Sequence, residues 1–283
     1  LLSALRGSNA SLKGKAAAAL VSLTSSIQGR LQLREAGGLG ALVDILVSGG
    51  PVNAELWEMV CTVLANLCDD DGNDWRELSQ AGVVFALAAQ LNSSNATLQE
   101  AVLTLLAILC SHPECRDQAA DANAMPALVR LLSSSARPSV QRVALALCQQ
   151  LCGSRRACDT MLEVGAAAPL ASMLSTSAAS DVEVAVACLE CIEALSRSGV
   201  TQAQMAVRNS GAVPHLIQMM SHSNARVAQV AASLVSELCP GDVHNAEQLY
   251  ESGGLVMFSE QLNSGDARSQ LQALSALSQL SAN

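Results

Sequence analysis

Apolar side chains recur along this chain at steps of three and four, and the stretch from Ala124 to Cys152 (AMPALVRLLSSSARPSVQRVALALCQQLC) shows the unit most plainly. Leu128, Val129, Leu131 and Leu132 share one side of a 3.6-residue turn; serines then interrupt them, and Leu147, Cys148, Leu151 and Cys152 resume the stripe. A strand would alternate with a period of two. The pattern therefore predicts a short apolar helix, a turn and a longer amphipathic helix.

The long helices end alike. LVSLT, LANLC, LAILC, CQQLC, IEALS, VSELC and LSQLS place Leu23, Leu67, Leu109, Leu151, Leu195, Leu238 and Leu280 at one position, spaced by 44, 42, 42, 44, 43 and 42 residues. A fixed period of this length marks stacked helical units, each touching only its neighbours, so chain length sets no domain count. The column leucines should be buried. Hinges separate the units: AGG at 36 to 38, AGV at 81 to 83, ANAMP at 122 to 126, VGAAAP at 164 to 169, SGAVP at 210 to 214 and SGG at 252 to 254. A helix that stops in a sharp turn wants a residue of positive φ, usually Gly, and Pro126, Pro169 and Pro214 fall in the next first turn, where no N–H is needed. The predicted organisation is one array over residues 1–283: a partial repeat at 1–26, then repeats at about 27–71, 72–113, 114–154, 155–199, 200–240 and 241–283.

A hinge, then ALVDIL, ALVRLL or HLIQMM, then a turn and a long helix ending in ANL resembles the armadillo repeat, GAIPALVQLLSS followed by AxxALxNL, over essentially the whole chain. HEAT repeats of similar length lack this Gly-containing hinge. The resemblance implies an all-α, right-handed superhelical solenoid of three-helix units whose third helices line a concave groove. In members such as importin α and β-catenin that groove holds an extended peptide.

Counting back 0, 4, 8 and 11 residues from the position before a column leucine traces one face of the third helix. It reads Asn66, Thr62, Glu58, Glu55 before Leu67; Gln150, Ala146, Arg142, Ser139 before Leu151; and Glu237, Ser233, Gln229, Arg226 before Leu238. These are polar or small, whereas the opposite stripe, Val102, Leu103 and Leu106 before Leu109, is apolar and belongs inside. In peptide-binding armadillo proteins an Asn before the column leucine clamps the peptide main chain, because a carboxamide donates to a C=O and accepts from an N–H together. By that resemblance Asn66 is the clamp here. Ser22, Ile108, Gln150, Ala194, Glu237 and Gln279 stand at the other positions, so the asparagine ladder is absent. The Trp that importin-like repeats carry one turn earlier is absent too, which argues against carriage of basic nuclear-localisation peptides in the importin manner.

Glu55, Glu58 and Asp69 to Asp71, and farther along Glu183, Glu190, Glu193 and Glu237, gather on or beside this face. They read either as a solvated helix surface, with Glu193 and Arg197 an ordinary i,i+4 pair, or as two acidic subsites for a basic or mixed-charge segment of a partner.

Composition narrows the classes. Half the residues are apolar but only 2% are aromatic, which suits closely packed helices better than a sheet. With 25 acidic against 16 basic residues and a net charge of -9, nucleic acid and anionic lipid are poor partners. No apolar run reaches the length of a membrane span. Of the ten cysteines, Cys68, Cys110, Cys152 and Cys239 follow column leucines, where other repeats carry Thr24, Ser196 and Ser281, so the position asks for a small, semi-buried residue. Cys188 and Cys191 form a CxxC inside a predicted helix, without a second pair or a neighbouring His, and read as packing rather than as a metal site. Free packing cysteines suit a reducing compartment, cytoplasm or nucleus. His112, His215, His222 and His244 lie at turns or helix starts beside no nucleophile, no glycine pair has the follow-on of a phosphate loop, and the NxS/T triplets at Asn9, Asn92 and Asn95 are of a kind that a Ser/Asn-rich chain produces by chance.

The expected function is a non-catalytic protein-interaction scaffold without cofactor or metal. Its groove residues, Asn66, Thr62, Glu58, Glu55, Gln150, Glu190, Glu193 and Glu237, would meet an extended peptide or a partner domain. The alternative is a structural or regulatory array that packs on another domain of its own polypeptide or in an oligomer. The chain opens in mid-repeat, and its last helix, expected over Ala267 to Ser281, carries Ala273, Leu274, Leu277 and Leu280 without a polar cap, which suits a segment of a larger protein.

Overall fold

The computed structural model describes residues 1–7, 9–48, 53–68, 73–134, 137–177, 181–198, 202–220, 222–238, 250, 251, 253–263, 265, 267, 270, 271, 273, 274, 277 and 278. Asp69 to Asp71, Cys239, His244, Ser252, Leu280 and much of the expected last helix lie outside the described residues.

Every regular element among the described residues is a helix. A partial repeat supplies α1 (Leu2–Arg6) and α2 (Ala10–Thr24). Five three-helix groups follow: α3 (Ile27–Glu35), α4 (Gly38–Val47) and α5 (Ala54–Cys68); α6 (Asp74–Gln80), α7 (Val83–Gln90) and α8 (Ala96–Leu109); α9 (Pro113–Asp121), α10 (Met125–Ser134) and α11 (Pro138–Leu151); α12 (Arg155–Glu163), α13 (Ala167–Ser177) and α14 (Val182–Ser198); α15 (Gln202–Asn209), α16 (Ala212–Met219) and α17 (Ala225–Leu238). Helix α18 (Gly254–Asn263) closes the described series.

Local chemistry sets these boundaries. The third helices begin on short polar caps: Asn9 Oδ1 accepts from the Ser11 and Leu12 amides, Asn95 Oδ1 from Thr97 and Leu98, and Asn224 Oδ1 from Arg226 and Val227. Each cap satisfies amides that the first turn leaves unpaired. Asn9 and Asn95, two of the acceptor triplets, thus have a structural use. At the hinges Gly37, Gly82, Gly165, Gly211 and Gly253 adopt φ between 67° and 78°. In the third repeat Asn123 takes the same turn at φ 56°, the residue that best tolerates it after Gly.

The chain forms two compact units, residues 1–131 with 135–157, and 132–134 with 158–283. In the first, third helices α2, α5, α8 and α11 pack in succession; in the second, α14 packs on α17 and α13 on α16. Leu67, Leu109, Leu151, Leu195 and Leu238 are fully buried. Leu23 departs from this, being only half-buried on α2. It borders a cleft of about 350 Å³ walled by Leu1, Leu2, Leu20 and Leu33, where no first helix of its own repeat stands against it among the described residues.

Side chains of the short first helices secure the ends of the third. Arg34 on α3 donates from Nη2 to the Leu67 carbonyl at 2.5 Å and from Nε to Asp74 at 2.7 Å, so one guanidinium caps α5 and ties it to the next repeat. Arg208 on α15 caps the Leu238 carbonyl at 2.6 Å in the same way. The cysteines pack: Cys61, Cys188 and Cys191 are fully buried, and burial pushes the Cys61 and Cys188 thiols up to about 12. After the column leucine, Thr24, Cys110 and Ser196 are buried and Cys68 and Cys152 half-buried.

Candidate functional site

The side-by-side third helices of the first unit leave three clefts, and the counted face lines each of them. Between α2 and α5 a cleft of about 430 Å³ is bounded by Ser11, Gly14, Lys15 and Ala18 on one side and by Glu55 and Met59 on the other. Between α5 and α8 a cleft of about 340 Å³ is bounded by Glu58, Thr62 and Asn66, facing Thr97, Glu100 and Thr104. Between α8 and α11 a cleft of about 640 Å³ is bounded by Thr104, Ala107 and Ile108, facing Arg142, Val143, Ala146 and Gln150. Helical periodicity is the reason: residues at 0, 4, 8 and 11 steps share a face, and that face is left over once the apolar stripe packs inward.

The sequence-derived site is therefore divided. Asn66, Thr62 and Glu58 come together in the middle cleft, Glu55 opens onto the first beside Lys15, and Gln150 onto the third. Two neighbours were missed. Glu100 stands on the far wall from Glu58, so the middle cleft is lined by two carboxylates, and Lys15 puts a cation beside Glu55. Glu100 was reachable by the same count before Leu109, which gives Ile108, Thr104, Glu100 and Thr97.

Hydrogen bonds orient the middle cleft. Asn66 Nδ2 donates to Thr24 Oγ1 at 3.1 Å, and Thr24 in turn donates to the Leu20 carbonyl at 2.8 Å. The carboxamide is thereby tied through one of its donors to α2, and its oxygen and second N–H are the groups that could meet a ligand. Thr62 and Thr104 each turn their hydroxyl back onto their own helix, to the carbonyls of Glu58 and Glu100 at 2.9 and 2.8 Å. Ser139 on α11 donates to Glu100 Oε2 at 3.2 Å, a bond that ties this carboxylate to the next third helix.

The second unit treats its acids differently. Arg226 Nη2 on α17 lies 2.7 Å from Glu190 Oε1 on α14, and Arg197 on α14 reaches Glu237 at 2.6 Å and Glu193 at 2.8 Å. Hydrogen bonding to Glu237 raises the Arg197 pKa above the ordinary guanidinium value. Glu190, Glu193 and Glu237 thus meet the chain's own cations, two of them across the α14/α17 seam.

A further contact had no sequence signal: Trp75 on α6 stacks on His112 at the start of α9, with ring centroids 4.0 Å apart and planes 10° from parallel, and the Arg76 guanidinium lies 5.1 Å from the Trp75 ring centroid. Burial, the largest influence, lowers the His112 pKa. Among the described residues no group of three or more His, Cys, Asp or Glu could hold a metal ion, and no helix is long and apolar enough to cross a membrane.

Comparison with known proteins agrees with this architecture. Residues 112–147 and 201–239 match the armadillo/beta-catenin-like repeat family model. No curated protein sequence matches the chain. Among solved structures, an engineered protein superposes with a TM-score of 0.79 at 23% identity, over 99% of this chain and 67% of that one. A designed armadillo repeat protein in complex with the peptide (KR)4 gives 0.70 at 20% identity, over 86% of this chain and 99% of that one. Computationally designed armadillo repeat proteins for modular peptide recognition give 0.72 at 20% identity, over 85% and 98%. At such identities the likeness speaks for the fold.

Proposed function

We propose that this chain, which has the fold of an armadillo solenoid and matches the armadillo repeat model over two segments, is a non-catalytic interaction scaffold whose first unit binds an extended, Lys- or Arg-bearing segment of a protein partner along α2, α5, α8 and α11. The observation behind this reading is the α5/α8 cleft, which Asn66, the clamp-type asparagine, lines together with two carboxylates, Glu58 and Glu100. A basic side chain entering there would offset one of the two negative charges and could donate to both acids, while the carboxamide pairs with the segment's backbone. Charged hydrogen bonds of this sort are worth roughly 1.5–3 kcal/mol each. Glu190, Glu193 and Glu237 stand outside the proposed site: they lie in the second unit and meet Arg197 and Arg226 in part-exposed ion pairs. The designed relative's complex with (KR)4 supplies a suitable probe, a fluorescein-labelled peptide of alternating Lys and Arg. Its anisotropy should report binding that weakens about tenfold in Asn66→Ala and further in Glu58→Lys, with raised salt eroding the second contribution more than the first. Equal binding by the parent and the Asn66→Ala, Glu58→Lys double variant would sink the proposal.

One observation favours the second reading, a structural array that packs on another domain. The apolar cleft over the buried Leu20 and Leu33 leaves Leu1 exposed and Leu2 and Leu23 half-buried, whereas the column leucines of the later third helices among the described residues are fully buried. Under this reading the isolated chain self-associates in sedimentation and binds an apolar dye; a strict monomer without dye binding counts against it.

A further inference from the structure

We propose that the α8/α11 cleft selects an aliphatic side chain of the same bound segment, with Ile108 setting that preference; the inference rests on the α5/α8 cleft being the segment's basic subsite. Ile108 stands 42 residues after Asn66, at the equivalent position of the next repeat. Where α5 offers a carboxamide, α8 offers a hydrocarbon branch. Ile108, Ala107, Val143 and Ala146 give the cleft apolar walls, and the space of about 640 Å³ exceeds the bulk of one side chain. Thr104, Ser111, Arg142 and Gln150 edge the cleft, but a cation set against the apolar walls themselves would lose water and meet no carboxylate among the lining residues. An aliphatic side chain escapes that cost and gains by leaving water.

The two clefts adjoin, since Thr104 lines both. Packed helices lie about 8–10 Å apart and an extended chain advances about 3.3 Å per residue, so one segment can fill both clefts with side chains two or three positions apart. The partner chemistry is thereby a basic residue followed or preceded at that distance by an aliphatic one, the order being set by the direction in which the segment crosses the helices.

Labelled peptides test this, with one Lys in a Gly/Ser background and a Leu two or three residues to either side, each Leu exchanged for Ser in a matched control. Against the parent, the best-placed Leu peptide should bind about tenfold more tightly than its Ser control. That preference should vanish in Ile108→Ser while the dependence on Lys and on Glu58 stays. Ala146→Glu, on the opposite wall and exposed, should abolish it too, and it guards against a folding defect in the first variant. Equal binding of Leu and Ser peptides by the parent, or an undiminished preference in both variants, would overturn the inference and leave the basic subsite standing. If no peptide shows Lys-dependent binding, the basic subsite falls and this inference falls with it.

Discussion

Asn66 Nδ2 donates to Thr24 Oγ1 over 3.1 Å, joining residues 42 positions apart at the ends of two neighbouring third helices. The bond gives the one clamp-type asparagine a fixed orientation before any ligand arrives, because Thr24 is itself buried and anchored to the Leu20 carbonyl. Thr24→Val keeps the shape and removes the acceptor. It should cost about 1–2 kcal/mol in urea unfolding and also weaken peptide binding, by releasing Asn66 to other rotamers. A variant that lost stability but bound as the parent does would show that the clamp needs no such anchor.

The faces of α11 supply a sharper contrast. Leu151 is fully buried and its neighbour Gln150 is exposed. Leu151→Asp puts a carboxylate among apolar side chains and should cost several kcal/mol, about 3 or more, whereas Gln150→Asp should stay within about 0.5 kcal/mol. Thermal scans of the two variants decide it; the reverse order would exchange the inner and outer faces.

Much of this was legible in the sequence, and the limit has a physical form. The period of about 42 residues and the hinge glycines are repeated or local signals, whereas Asn9 and Asn95, read from the sequence only as chance NxS/T triplets, proved to be helix caps. The face of α5 that bears Glu58, Thr62 and Asn66 followed from helical periodicity alone. Contacts between helices did not. Whether Glu190 faces water or Arg226, and whether Asn66 is loose or tied to Thr24, depends on the lateral offset between neighbouring third helices, which no spacing along one helix encodes. The stack of Trp75 on His112 was hidden for the same reason, and Leu23 departed from its column because burial depends on which helices surround it.

Two arginines separate structural from surface ion pairs. Arg34 and Asp74 keep only 22% and 15% of their side-chain exposure and Arg34 also caps α5, while Arg226 and Glu190 keep 68% and 38%. Arg34→Ala should cost about 1.5–3 kcal/mol and Arg226→Ala at most about 1 kcal/mol, the second being lost in high salt. Urea titrations at low and high salt distinguish them, and equal, salt-sensitive losses would contradict the distinction.

His112 should make stability fall on acidification. Its pKa is lowered from the ordinary 6.5, mainly by burial, so the unfolded chain takes up the proton at a higher pH than the folded chain does. Stability from this site is present above about pH 6.5 and declines as pH drops below it. Comparing unfolding midpoints at pH 7.5 and 5.5, the parent should lose more than His112→Gln, and an equal loss would remove His112 from the account.

The most direct measurement is a map of where an extended basic peptide touches the protein. With isotope-labelled protein and the alternating Lys/Arg peptide, nuclear magnetic resonance shifts should concentrate at Glu58, Thr62, Asn66, Thr97, Glu100 and Thr104, the two walls of the α5/α8 cleft. They should disappear in the Asn66→Ala, Glu58→Lys variant. Shifts confined to the short first helices, or to Glu190 and Glu237 in the second unit, would contradict the central claim.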